Sequence, residues 1–179
     1  MKFIETPLAG LNLIEIEPRT DDRGFFARSF CVDEFHAQSL ERTVAQCNIS
    51  FNEKAGTLRG LHFQAEPHGE AKLVRCTRGG IFDVAVDIRP GSDTYLKWYA
   101  AELTSENRRM MFIPQGFAHG FQTLMDESEV SYVMFEKYYP ESARGLRWDD
   151  PKLGIRWPLA KQIISDKDRT YPLIDSGSS

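Results

Sequence analysis

Leu58-Arg59-Gly60-Leu61-His62-Phe63-Gln64 sets a guanidinium and an imidazole inside one short strand-like run, with a glycine between them. Side chains of a regular strand alternate between its faces, so Arg59 and His62, three positions apart, belong on opposite sides. Gly60 permits a β-bulge that turns both to the same side. A second run, Pro114-Gln115-Gly116-Phe117-Ala118-His119-Gly120-Phe121, places another histidine among glycines and phenylalanines. Two histidines framed in this way point to one pocket carrying proton chemistry on an anionic ligand.

Outward from these runs the chain keeps the same texture, short apolar segments closed by turn residues. Strands are predicted over residues 11–17, 25–30, 44–51, 58–63, 73–77, 81–88, 98–103, 110–113, 116–123 and 130–135. Asp21-Asp22-Arg23-Gly24, Gly79-Gly80, Pro90-Gly91 and Pro114-Gln115-Gly116 punctuate them. Helical signals are few: Asp33 as N-cap of a segment over 34–40, and a second short one near 160–164. About ten short strands at this spacing predict an all-β fold, an antiparallel jelly-roll or cupin barrel with a few short helices and room for a small molecule at its mouth. No repeat or linker divides the chain, which predicts one domain over 1–179 with Ser176-Gly177-Ser178-Ser179 as a loose tail.

At 41% hydrophobic and 27% charged residues, the composition is that of a folded globular protein. A net charge of −4 without any lysine and arginine block argues against nucleic acid or a membrane surface as partner. Glu5 and Pro7 interrupt the N-terminus before a signal-peptide core forms, and no apolar run reaches the roughly 18 residues of a membrane span. The three cysteines, Cys31, Cys47 and Cys76, show no CxxC spacing and read as reduced packing thiols in a cytoplasmic protein.

His62 suits a general base because imidazole titrates near neutral pH, although by itself such a residue is more often a hydrogen-bonded core histidine. Tyr132, in a predicted strand, would donate a proton in a dry pocket if its pKa were lowered; the commoner role of such a tyrosine is packing with a satisfied hydroxyl. Lys72 would stabilise an enolate oxygen or stand solvated at a strand end. Asp168 would orient a histidine or lie on a surface loop. Arg23, Arg59 and Lys167 are candidate phosphate ligands. Gln46 and Asn48 share a strand face and would read polar edges of a ligand. Tyr138 or Tyr139 would stack on a planar ring. The four histidines show no HxH, HxxxH or HExxH spacing, so no metal site is predicted.

Taken together, Asp22-Arg23-Gly24-Phe25-Phe26, Gln46 with Asn48, the Leu58–Gln64 run, Lys72-Leu73-Val74-Arg75, the stretch from Phe82 to Arg89, the run from Ile113 to Phe121, Arg144-Gly145-Leu146-Arg147-Trp148-Asp149-Asp150-Pro151 and Ser165-Asp166-Lys167-Asp168 resemble the dTDP-4-dehydrorhamnose 3,5-epimerase family of cupin-type jelly rolls. Each motif is weak alone; their order over nearly the whole chain is specific.

The resemblance implies an isomerase without cofactor or metal. Its substrate would be a nucleotide-diphosphate 4-keto-6-deoxyhexose, inverted at C3, C5 or both. It places the base at His62 supported by Asp168, the opposing acid at Tyr132 and the enolate-stabilising cation at Lys72. It assigns Arg23, Phe26, Gln46, Asn48, Arg59, His119 and Lys167 to the nucleotide sugar. It also implies a homodimer with exchanged N-terminal segments, so that Arg23 would serve the neighbour's pocket. Arg28 and Ala143 stand where the family usually has glutamate, and Cys47 where it has aspartate; a guanidinium in place of an acceptor carboxylate would change which base or sugar is tolerated.

Overall fold

Burial with period two decides which face of each strand meets the interior. In the computed structural model, which describes residues 1–41, 43–160 and 162–174, the chain runs β1 (Lys2–Glu5), β2 (Asn12–Glu15), β3 (Arg19–Asp21), β4 (Gly24–Phe26), α1 (Val32–Ala37), β5 (Gln46–Asn52), β6 (Leu58–Gln64) and β7 (Lys72–Arg78). It continues through β8 (Gly80–Asp87), β9 (Trp98–Thr104), β10 (Met110–Ile113), β11 (Phe117–Thr123), β12 (Ser128–Met134), β13 (Ala143–Gly145) and α2 (Asp166–Arg169). Two antiparallel sheets carry the fold, one ordered β1-β2-β10-β7-β12-β5 and the other β13-β6-β11-β8-β9, while β3 and β4 form a separate hairpin. The fold is thus the expected all-β jelly roll with few short helices.

Leu13, Val74, Cys76, Met111, Ile113 and Val130 of the first sheet meet Ile81, Ala85, Leu103, Phe117 and Phe121 of the second in one core. The neighbours of these residues face outward. Ile14, Leu73, Met110 and Phe112 pack beneath α1 around the fully buried Phe35, whose ring meets those of Phe3, Phe30, Phe112 and Phe135. Burying a phenylalanine contributes roughly 1.5–3 kcal/mol, enough to fix a helix too short to persist alone. Leu61, Val84, Val86 and Ala118 form the outer layer of the second sheet.

The structure departs from the sequence reading in four places. The helix of 34–40 is α1, Val32–Ala37; its N-cap is Cys31 with no side-chain cap, and Asp33 lies in its first turn. No helix occupies the described residues of 160–164, because Ile163 bridges Thr57 and exchanges backbone hydrogen bonds with Gly56 and Leu58; the turn of helix is α2, Asp166–Arg169, where Ser165 Oγ accepts the Asp168 N–H. The strand of 25–30 ends at Phe26. Strands β1, β3 and β13 are additional and short. The tail at 176–179 lies outside the described residues.

Candidate active site

At one end of the sandwich the inward-facing positions turn polar. Gln46, Asn48 and Ser50 of β5, Lys72 of β7 and Tyr132 of β12 form one wall, and Arg59 and His62 of β6 with His119 and Phe121 of β11 form the other. Glu70 and Tyr138 close the rim of a cavity of about 560 Å³. Strand pairing explains the grouping: Tyr132 stands opposite Asn48, Met134 opposite both Gln46 and Lys72, and His119 opposite His62.

Arg59 and His62 share this cavity because of a bulge. Against β11, His62 pairs with His119 and Arg59 with Phe121, so Gly60 and Leu61 together face Gly120 alone. The expected insertion is therefore present. Gly60 has φ +125°, and a Cβ there would meet Gly120 Cα at 2.6 Å and the His119 carbonyl oxygen at 2.8 Å, which restricts the position to glycine.

Each histidine leans on a carboxylate. His62 Nε2 lies 2.7 Å from Asp168 Oδ1, and the Gly60 N–H donates to Asp168 Oδ2 at 3.3 Å. Asp168 is buried. Burial pushes its pKa up, but the His62 hydrogen bond and charge, the Gly60 N–H and Ser165 outweigh this and hold it below the usual carboxylate range. With Nε2–H donated to Asp168, the lone pair of a neutral His62 ring sits on Nδ1. His119 Nε2 likewise lies 2.7 Å from Oδ1 of Asp83, which is fully buried and whose Oδ2 has no hydrogen-bond partner.

Tyr132 meets His119 edge to face, ring centroids 6.2 Å apart. Its phenol is pushed well above its ordinary range, first by burial and then by the Asp83 charge, with Arg59 acting the other way. The lowered pKa entertained from sequence is thus corrected: the group rests protonated. Lys72 is buried, not solvated, and its Nζ lies 2.6 Å from Glu70 Oε1. Arg59 Nε donates to Asn52 Oδ1 at 2.8 Å. Exposed Lys167 lines an adjoining cavity of about 430 Å³ that also touches Arg59, His62 and Asp168.

Arg23 and Phe26 do not reach the cavity of their own chain. They sit on the β3–β4 hairpin, where Arg23 pairs with Asp21 at 2.5 Å and Phe26 is 75% exposed. Arg28 also stays outside, bound to Glu34 at 2.8 Å, and Cys47, between two inward residues, is exposed. Among the described residues no three His, Cys, Asp or Glu side chains gather as metal ligands would.

Two carboxylates escaped the sequence reading. Asp83 left a signal, an acid at an inward position of the apolar run Ile81-Phe82-Asp83-Val84-Ala85, where a buried charge needs a partner. Glu70 left none, since it precedes β7 in a polar turn.

A family model described as dTDP-4-dehydrorhamnose 3,5-epimerase matches residues 5–176. The dTDP-4-dehydrorhamnose 3,5-epimerase of Methanothermobacter thermautotrophicus is 51% identical over 174 residues, covering 95% of this chain and 92% of that one. Among solved structures, the Bacillus anthracis dTDP-4-dehydrorhamnose 3,5-epimerase with TDP and PPi bound superposes with a TM-score of 0.93 at 40% identity, over 97% of this chain and 99% of that one. A Legionella pneumophila dTDP-6-deoxy-D-glucose-3,5-epimerase in complex with dTDP-4-keto-L-rhamnose gives 0.90 at 40% identity, over 96% and 92%.

Proposed function

This chain belongs to the dTDP-4-dehydrorhamnose 3,5-epimerase family, and from that premise we propose how its cavity inverts carbons of a nucleotide-diphosphate 4-keto-6-deoxyhexose. It is an isomerase, a carbohydrate epimerase of deoxysugar-nucleotide biosynthesis. One observation carries the residue roles: an imidazole braced by a buried carboxylate and a protonated phenol stand on different sheets around one cavity that also holds a buried ammonium.

A carbon beside a ketone loses its proton only if the electron pair it leaves behind is accommodated on the ketone oxygen. His62 takes the proton on Nδ1, and Asp168 stabilises the imidazolium that forms. Lys72 faces the developing oxyanion. Tyr132 delivers its proton to the other face of the planar enolate, inverting the carbon, and the phenolate and imidazolium reset by exchange with solvent. Electrons and atoms balance within the sugar, since one proton leaves and one arrives per inversion. Arg59 and Lys167 take the diphosphate, while Gln46, Asn48, His119 and Tyr138 contact sugar and base.

Arg23 and Phe26 act in this reading on a neighbouring copy, within a homodimer whose N-terminal segments are exchanged. The exposed β3–β4 hairpin and the open edge of β5, where Ile49 is 70% exposed, support that arrangement. No helix among the described residues is long and apolar enough to cross a membrane, and we assign the enzyme to the cytoplasm with its sugar-nucleotide substrate.

The test is turnover of a dTDP-4-keto-6-deoxyhexose in deuterated buffer, followed by NMR of the product. Deuterium is expected beside the ketone in wild type and absent with His62→Ala; normal incorporation by that variant rejects the assignment of the base. The number of labelled carbons tells double from single inversion.

A further inference from the structure

Gln64, the last residue of β6, is 5% exposed and makes three hydrogen bonds. Oε1 accepts the Tyr139 N–H at 2.6 Å. Nε2 donates to the carbonyls of Lys137 and His68, both at 3.0 Å. Both amide hydrogens and the carbonyl oxygen are thus committed, which fixes the rotamer of a buried side chain.

Two of the three partners bracket Tyr138, a residue 58% exposed on the rim of the cavity. The bracket is closed a second time. The Tyr139 ring stacks on His68, centroids 3.6 Å apart and planes 12° apart, and the His68 carbonyl is itself held by Gln64. Residues 137–139 have no regular secondary structure, so the side chain of Gln64 does for them what a ladder does for a strand.

We propose that Gln64 is a positioning residue for substrate binding: by tying residues 137 and 139 to the end of β6 it presents the Tyr138 ring at the mouth as a stacking platform for the nucleotide base. This rests on the reading above that the ligand is a nucleotide-diphosphate sugar. The residue touches no reacting atom, so its effect belongs in affinity rather than in the chemical step.

The experiment is a double-mutant cycle on wild type, Gln64→Met, Tyr138→Ala and the double variant. It reads kcat and KM for the 4-keto sugar nucleotide and, independently of turnover, the calorimetric Kd for dTDP. Losing an aromatic platform weakens base binding by about tenfold, so each single variant should raise KM and Kd by about that factor while kcat stays within about threefold. The double variant should bind no worse than Tyr138→Ala.

Equal loss on adding Gln64→Met in both backgrounds, or a fall in kcat with KM unchanged, overturns the proposal. Gln64→Asn, which keeps the amide but shortens its reach, serves as the second variant if Gln64→Met does not fold, with the same expectation. Wild type that binds dTDP without turnover sinks the functional reading and leaves the cycle decided by Kd; wild type that binds no dTDP overturns the proposal.

Discussion

Replacing Asp168 by asparagine keeps the shape of the side chain and removes the charge that faces His62. The carboxylate accepts from His62 Nε2 at 2.7 Å and from the Gly60 N–H at 3.3 Å, in a buried position. A hydrogen bond to a charged group is worth about 1.5–3 kcal/mol, and the bond from His62, already made to an ionised carboxylate, strengthens further when the ring takes up the substrate proton. At 1.36 kcal/mol per factor of ten, Asp168→Asn should slow deuterium incorporation by about ten- to hundredfold. Stability carries a second signature. The Asp168 pKa is held below its unfolded value, so its contribution is complete above about pH 4 and fades as pH falls through the lower folded value. Urea denaturation should therefore find wild type more stable than Asp168→Asn near neutrality, with the gap closing as the solution is acidified below about pH 4. Exchange within about threefold of wild type, or a stability gap that widens on acidification, refutes the reasoning.

Because burial and then Asp83 raise the Tyr132 phenol, Tyr132→Phe should lose no phenolate absorbance below about pH 10 relative to wild type; a difference appearing near pH 9 would contradict the placement of that ring. The Cys76 thiol is buried and pushed up to about 11 by burial, whereas Cys47 is exposed. A disulfide reagent at about pH 8 should label Cys47 in the native protein and Cys76 only after denaturation. Gly60→Ala should cost about 2–4 kcal/mol in denaturant unfolding, from a left-handed φ and backbone overlap with β11; a cost under about 1 kcal/mol would mean the bulge tolerates a side chain. Glu70→Gln strands the buried Lys72 ammonium and should destabilise by about 3–5 kcal/mol. Adding Lys72→Met should recover most of that loss, and simple additivity would contradict a buried ion pair.

The strands were legible as short apolar runs closed by turn residues, although β8, β10 and β11 are buried on both faces. Every predicted strand overlaps an observed one, and the parity of Leu73 against Val74, or Met110 against Met111, separates the outer layer from the inter-sheet core. What escaped depends on contacts far along the chain. β13 is three residues long and exists because Ala143–Gly145 can pair with β6; nothing local distinguishes it from a loop. Residues 160–164 carry an apolar pattern that suits a helix, but pairing of Ile163 with the segment preceding β6 satisfies the same backbone groups. Within the site, Asp168 reaches His62 across 106 positions. No spacing rule spans that distance, and only the resemblance, not periodicity, brought the two together. The clamp at Gln64 was invisible for the same reason: two of its partners lie 73 and 75 residues away.

The two sheets also account for the opposed placement of the two groups proposed above as proton carriers. Inward positions of β6 and β11 can only look toward inward positions of β7 and β12, since the strands lie in facing layers. Under the proposed roles, His62 on one and Tyr132 on the other would approach a flat enolate from different sides. What the layers do not supply is room and charge. Phe117 and Phe121 fill the interior on one side of His119, and the bulge at Gly60 swings Arg59 into line with His62 at the other. A cation as deep as Lys72 is costly unless it is paired. Glu70 offsets that cost from outside the regular strands, where its position is free to vary without disturbing the sheet. Under the roles proposed above, the proton-transferring groups sit on rigid, alternating positions, while Lys72 is balanced from the turn at Glu70 and Tyr138 meets the base from the clamped segment. A change of nucleotide preference is thus expected to arise from substitutions around Tyr138, with His62, Lys72, Tyr132 and Asp168 left in place.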